Sequence, residues 1–299
     1  MIRESEEAVW PWEPLAIPKK IGRFEVLEEI GHGPMSVDYR ANDPATGRAV
    51  VLTVPSAEAE DSPDLLRRFY REARATGSLQ HPNVIAIYDL GVYLGSPYIA
   101  RELLEGSTLE EIVAREKAEG TRSAQSGAAM LNYVMQACKG LGYAHQHGVI
   151  HRDVRPRSVF VTTNGTVKMT HFVNARLPEG LSPVSDGSKT GQMDYTYMSP
   201  EQVRGGRLDG GADIWALACT LYEALTYSPP FVGENTSALM FAIMSEEPDP
   251  ISELRRDLPP ELEDVLKRAL KKDRKERYKN MEEMMEALEK VAWKIESGV

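Results

Sequence analysis

Between Phe24 and Val54 apolar and polar residues alternate with a period of two, and Asp43-Pro44-Ala45-Thr46-Gly47 interrupts the alternation as a turn. The pattern predicts three strands. Ser62-Pro63-Asp64 then supplies a cap, a first-turn proline and an early acid, and Leu65, Leu66, Phe69, Ala73 and Thr76 recur at helical spacing until Gly77. Two more strands are predicted near Val84–Asp89 and Tyr98–Leu103. Beyond them the period changes to 3.6. Ala128–His147 carries Leu131, Val134, Cys138, Leu141 and Ala144 on one face and stops at Gly148. Short strands at Val159–Thr162 and Val167–Met169 flank Asn164-Gly165, a hairpin turn. Ala212–Thr226 is apolar almost all round, as suits a helix buried in the middle of a lobe. Pro260–Lys271 and Asn280–Lys294 are amphipathic. The elements make an α+β chain: a small β-rich lobe with one helix, then a larger helical lobe. No internal repeat is present.

Composition narrows this only a little. The 299 residues are 42% hydrophobic and 27% charged, a globular balance, with a formal net charge of −10. That acidity argues against nucleic acid or an anionic membrane as partner. The exception is a basic run, Lys267-Arg268, Lys271-Lys272, Arg274-Lys275, Arg277 and Lys279, which reads as a solvated helix face and turn. Cys138 and Cys219, the only cysteines, sit in apolar helical patterns and read as core residues of a reducing compartment. No apolar run approaches the roughly 18 residues of a membrane span, so no membrane segment and a cytoplasmic location are expected. Residues 1–21 read as an extension. Trp10 and Trp12 among Pro11, Pro14 and Pro18 suit an arm that docks on a partner or packs on its own small lobe.

The candidate chemistry lies in a series of short motifs. A glycine-rich turn, Gly31-His32-Gly33-Pro34-Met35-Ser36, precedes the strand Arg48–Val54. His151-Arg152-Asp153 follows, then a strand ending in His171-Phe172-Val173, then Ser199-Pro200-Glu201. Their order and gaps resemble the protein kinase domain of bacterial serine/threonine kinases, over roughly residues 22–295. The resemblance implies a two-lobed kinase-like fold, with an N-lobe over 22–103 and a C-lobe over 104–299.

It also implies jobs for particular residues, because phosphoryl transfer needs ATP held, magnesium held and the acceptor hydroxyl oriented. Thr53 stands where the family has the lysine that holds the phosphates. Gly31 and Gly33 are kept, and Ser36 replaces the third glycine. Around the adenine, Asp38 replaces a valine, Val51 a smaller alanine and Phe160 a leucine, which would narrow the slot; an unpartnered carboxylate buried there would cost several kcal/mol, on the order of the penalty for a lone buried charge. His171 and Ser158 replace the two magnesium ligands, an aspartate and an asparagine. Magnesium prefers hard oxygen donors, and no metal site is assigned. Asp153 matches the catalytic-loop aspartate and Arg155 its helper lysine. Asp194 replaces a threonine, where it would repel Asp153 and pair with Arg155.

The scaffold positions are kept. Glu72 matches the helix glutamate, and His151 and Phe172 match an inner stack. Asp213 matches the first residue of the central helix's D-x-W. Glu201 and Arg277 match the pair that ties the activation segment to the late helices. Arg101 replaces an apolar residue at the back of the slot and is expected to reach Glu72. Ser182, Ser185, Ser188 and Thr190 make the segment 174–197 a phosphorylation target or a mobile loop.

The reading this favours is a catalytically inactive kinase-like domain without ATP binding or other cofactor. It would serve as an interaction, scaffold or allosteric module for a protein partner such as a kinase or signalling protein. One alternative is a weakly active serine/threonine protein kinase that uses Asp153 with ATP, magnesium and atypical ATP contacts. A second is a nucleotide sensor without catalysis.

Overall fold

A computed structural model of the chain describes residues 17–33, 36–172 and 195–297; of Asp64, Arg68, Arg71 and Glu72 it describes the backbone alone. The extension before residue 17, Asp194 and the serines and threonine of the segment 174–194 lie outside the described residues. The described residues divide into two compact units, one drawn from Met1–Leu66 and Tyr88–Leu103, the other from Arg67–Ile87 and Leu104–Val299.

The first unit is a sheet. Its strands are β1 (Lys20–Ile21), β2 (Phe24–His32), β3 (Ser36–Asp43) and β4 (Arg48–Pro55), followed by the one-turn helix α1 (Ala57–Glu60) and the start of α2 (Pro63–Gly77). β5 (Ile87–Tyr93) and β6 (Ser96–Glu102) complete a six-stranded sheet in the order β1-β2-β3-β4-β6-β5. The period-two alternation sorts the side chains. Val37, Tyr39 and Ala41 of β3, Val50, Leu52 and Val54 of β4, and Tyr98 and Ala100 of β6 close one buried face over Phe24. The residues between them, Asp38, Val51, Thr53, Ile99 and Arg101, therefore share the other face.

The second unit is helical. β7 (Gly106–Thr108) leads into α3 (Leu109–Glu119), whose start is fixed by a reciprocal cap between Thr108 and Glu111. α4 (Ala124–Gln146) follows, and β8 (Val159–Thr162) pairs with β7 on one side and β9 (Val167–Met169) on the other in a three-stranded sheet. Gly165 turns the β8–β9 hairpin at φ 81°, a conformation that favours glycine. α5 (Pro200–Val203), α6 (Gly210–Thr226), α7 (Thr236–Ser245), α8 (Ile251–Leu254), α9 (Glu261–Ala269) and α10 (Met281–Ser297) complete it. α6 is buried over nearly its whole circumference, and Trp215 stacks on Phe231 with centroids 5.3 Å apart. Burial pushes both cysteine thiols up, Cys138 to about 12.

The strand expected from Val84 does not start there. Val84 makes an isolated bridge to Met169, Ile85 N–H donates to the Met169 carbonyl at 3.0 Å, and Asn83 Nδ2 donates to the Val167 carbonyl at 2.9 Å. These bonds tie residues 83–85 to the hairpin of the helical unit. The basic run is largely paired within the chain: Lys267 with Glu263, Arg268 with Glu283, Arg274 with Asp209, and Lys272 with the carbonyls of Ala242 and Ile243. No described helix is long and apolar enough to cross a membrane.

Candidate functional site

In the first unit the expected nucleotide-holding residues gather on the sheet face opposite the core. Gly33 N–H donates to the Ser36 carbonyl at 2.9 Å, closing the β2–β3 turn; Gly31 stands opposite Asp38. Asp38 is in turn opposite Thr53, and Val51 opposite Arg101. Across three adjacent strands the side chains form a closed ring. Thr53 Oγ1 donates to Asp38 Oδ1 at 2.5 Å, Arg101 Nε donates to Thr53 Oγ1 at 3.1 Å, and Arg101 Nη2 donates to Asp38 Oδ2 at 2.6 Å.

One expectation changes here. Arg101 pairs with Asp38; its expected pairing with Glu72 falls on a side chain outside the described residues. The reason is the small residue between them: strands lie about 4.8 Å apart, and Thr53 is short enough for the guanidinium to reach over it to a carboxylate two strands away. Asp38 is therefore not an unpartnered charge. We predict that Thr53→Val, which deletes the middle of the ring, lowers stability by about 1 kcal/mol, because water reaches the partly exposed partners it leaves. An unchanged urea midpoint would show the hydroxyl to be dispensable to the ring.

In the second unit the catalytic-loop residues are held from below by α6. The fully buried Asp213 takes His151 N–H on Oδ2 at 2.9 Å and Arg152 N–H on Oδ1 at 2.7 Å, with His145 Nε2 also 2.7 Å from Oδ2. Burial alone would raise the Asp213 carboxyl, but the His145 hydrogen bond and the Arg152 N–H outweigh it and hold it below the ordinary carboxylate range. His151 is fully buried against Phe172, with ring centroids 4.5 Å apart. Its Nε2 lies 2.8 Å from the Thr170 carbonyl, which only accepts, so Nε2 carries the proton and Nδ1 accepts from Asp153 N–H at 3.3 Å. The loop thus presents the Asp153 carboxylate, about a quarter exposed, with Arg155 Nε at 3.3 Å and Arg157 Nη2 at 4.0 Å. The expected Arg155–Asp194 pair lies outside the described residues.

Ser158 and His171 were expected at the magnesium-ligand positions. Ser158 Oγ donates to the Arg155 carbonyl at 2.8 Å and accepts Arg155 N–H at 3.0 Å, and the residue is 1% exposed. Its hydroxyl is consumed by the turn that follows Asp153. His171 adopts φ 61°, and its Nδ1 lies 2.8 Å from Thr170 Oγ1. A saturated hydroxyl and an imidazole do not make a hard-oxygen pair, so these residues do not fit magnesium. Phe160 stands on β8, opposite Thr108 and Lys168. Further along, Arg277 meets Glu201 through two parallel bonds of 2.8 Å each, and its Nε and Nη1 also donate to the carbonyls of Lys271 and Gly211. His145, Thr170 and Arg157 were not singled out from the sequence; nothing in their local pattern distinguishes them from surface or helix positions.

The protein kinase domain family matches residues 24–290, and the chain belongs to that family. Its fold is the kinase fold, a curled sheet lobe and a helical lobe. It is 36% identical over 268 residues to the serine/threonine-protein kinase PknB of Mycolicibacterium smegmatis, covering 88% of this chain and 42% of that protein. It is 34% identical to PknB of Mycobacterium tuberculosis, covering 90% of this chain and 43% of that one. A probable serine/threonine-protein kinase of Streptomyces coelicolor is also 34% identical, with 89% and 40% covered. The chain thus spans about two fifths of the length of these curated relatives. Among solved structures, the PknI kinase domain of Mycobacterium tuberculosis superposes with a TM-score of 0.70 at 26% identity, covering 92% of this chain and 99% of that one.

These relatives correct the functional expectation. Proteins 34–36% identical over nearly nine tenths of the chain are named serine/threonine-protein kinases, which overturns the reading of a catalytically inactive module and favours the alternative of an active kinase built on Asp153.

Proposed function

We propose that the chain is a serine/threonine protein kinase domain that moves the terminal phosphoryl group of ATP to a protein hydroxyl, with atypical contacts to the nucleotide. The observation that carries this is the Asp153 carboxylate, partly exposed on a loop fixed by Asp213 and flanked by Arg155 and Arg157. ATP supplies the phosphoryl group. Asp153 orients the acceptor hydroxyl and takes its proton as that oxygen bonds to phosphorus, while the bond from phosphorus to the ADP oxygen breaks. The two arginines hold the aspartate in place and spread the charge on the entering group. The chemistry assigned here runs on these side chains, since Ser158 and His171 do not supply a magnesium site. ATP as donor, a protein as acceptor and two free buried cysteines all suit the cytoplasm.

The test is labelled phosphate from ATP, offered to the chain with a generic protein substrate. Incorporation is expected in the wild type and at background in Asp153→Asn. Equal incorporation by both proteins, or none by either, would overturn the reading.

A further inference from the structure

A nucleotide's polyphosphate needs a fixed cation, and the strand that carries it in protein kinases ends here in the neutral Thr53. On the sheet face around Thr53, another residue must supply that charge. In the described part of the first unit, Lys20 pairs with Glu25, Arg23 with Asp43 and Asp89, and Arg40 with Glu28, while Arg48 lies over the Tyr88 ring. Arg101 brings its charge to Thr53, with Nε 3.1 Å from the hydroxyl. The guanidinium arises from β6, but its head sits beside the β4 position. Its geometry is set by two bonds, to Thr53 and to Asp38, while its side chain keeps 27% exposure. Nη1 makes no hydrogen bond among the described residues. An arginine carries five N–H donors, so three remain for a ligand after the ring is made.

Kinases generally present their phosphate-holding lysine in an ion pair with an acid, which fixes the ammonium without cancelling its use. Asp38 stands to Arg101 in that relation, and the acid comes from the neighbouring sheet strand. Arginine suits the task because its planar fork gives one edge to the carboxylate and keeps the other for a phosphate oxygen.

We infer that Arg101 is the nucleotide-binding cation of this domain, moved from β4 to β6, with Asp38 and Thr53 as the positioning residues that aim it at the polyphosphate. This rests on the kinase reading and names the residue that makes its atypical ATP contact. The same ring also suits a plug that merely fills the face, and the two assignments give opposite results when the ring is removed.

ATP affinity by titration calorimetry separates them, with thermal melting to confirm folding. The double variant Asp38→Val, Arg101→Met leaves no uncompensated charge and so is expected to fold. It should lose roughly 10- to 100-fold in ATP affinity, the range of hydrogen bonds to a charged group. Arg101→Lys should keep more of the affinity than Arg101→Met. Adding Thr53→Lys to the double variant should recover most of the loss, because it returns a cation to β4. An unchanged or increased affinity in the double variant would overturn the inference while leaving the kinase reading intact, provided the wild type binds ATP. A wild type that binds no ATP would overturn both.

Discussion

Arg277→Ala lowers the unfolding free energy by roughly 3–5 kcal/mol, the cost of leaving a buried charge without its partner. Glu201 loses both halves of a parallel pair of 2.8 Å bonds in that variant, and the carbonyls of Lys271 and Gly211 lose their donor as well. Arg277 is only 2% exposed, so water cannot replace it cheaply. Glu201→Gln, Arg277→Met should cost less than Arg277→Ala, because no charge is left alone; the double-mutant cycle in urea gives the coupling. A single-variant cost below about 1 kcal/mol would place the pair among exposed bridges of little worth. The pH dependence follows from the same pair. Burial would raise the Glu201 carboxyl, but the Arg277 bonds and charge win and lower it from its ordinary 4.5. A depressed carboxylate contributes in full above its unfolded value and loses that contribution as pH falls through the folded one. The wild type should therefore keep this contribution from neutrality to about pH 5 and lose it below about 4.5, while the gap to the variant begins to narrow at higher pH, because burial without Arg277 raises Glu201 there.

Where local chemistry decides the structure, the sequence is enough. Ser62-Pro63-Asp64 does start α2 at Pro63, and Asn164-Gly165 does turn a hairpin between strands whose bounds match those expected. The apolar circumference of Ala212–Thr226 does mark the buried helix. Where the answer lies in a distant partner, the sequence runs out. Val84 and Ile85 look like a strand because they are apolar, but that run reports burial, and the hydrogen bonds go to Met169. The turn α1, Ala57–Glu60, is one helical turn capped by Ser56 and too short to show a period. The site is similar. Thr53, Asp38 and Arg101 are each visible as unusual residues, yet which charge meets which depends on β6, far along the sequence, pairing with β4 beside β3. Taken singly, a missing lysine and a stray carboxylate suggest a lost function. Taken as one ring, they place an arginine where the lysine's charge was missing. The functional expectation was drawn from the single positions, and the relatives, alike over most of the chain, correct it.

Asp213→Asn separates the support of the catalytic loop from its chemistry, and it is expected to cost both stability and phosphate transfer. Asp213 offers only acceptors, and three donors converge on it: the N–H groups of His151 and Arg152 and Nε2 of His145. An asparagine has one acceptor atom and one donor atom in the same space. If its oxygen keeps His151 and His145, its NH2 faces the Arg152 N–H, donor against donor. Arg152 is the residue least able to lose that bond. It holds φ 67°, a left-handed conformation that costs a non-glycine residue on the order of 1–3 kcal/mol and persists only where its surroundings insist on it. Released from Asp213, the backbone at Arg152 relaxes, and Asp153, the next residue, moves with it. A displacement near 1 Å at a catalytic group costs about 100-fold in rate. The expected result is a stability loss of roughly 1–3 kcal/mol, the penalty of one buried donor left unsatisfied. Phosphate incorporation should fall by about two orders of magnitude at a temperature where the variant is still fully folded. The stability measurement fixes that temperature, so the rate loss cannot be an unfolded fraction. If the variant is destabilised but transfers phosphate at the wild-type rate, Asp213 supports only the lobe, and the position of Asp153 is set by His151 and the two arginines beside it.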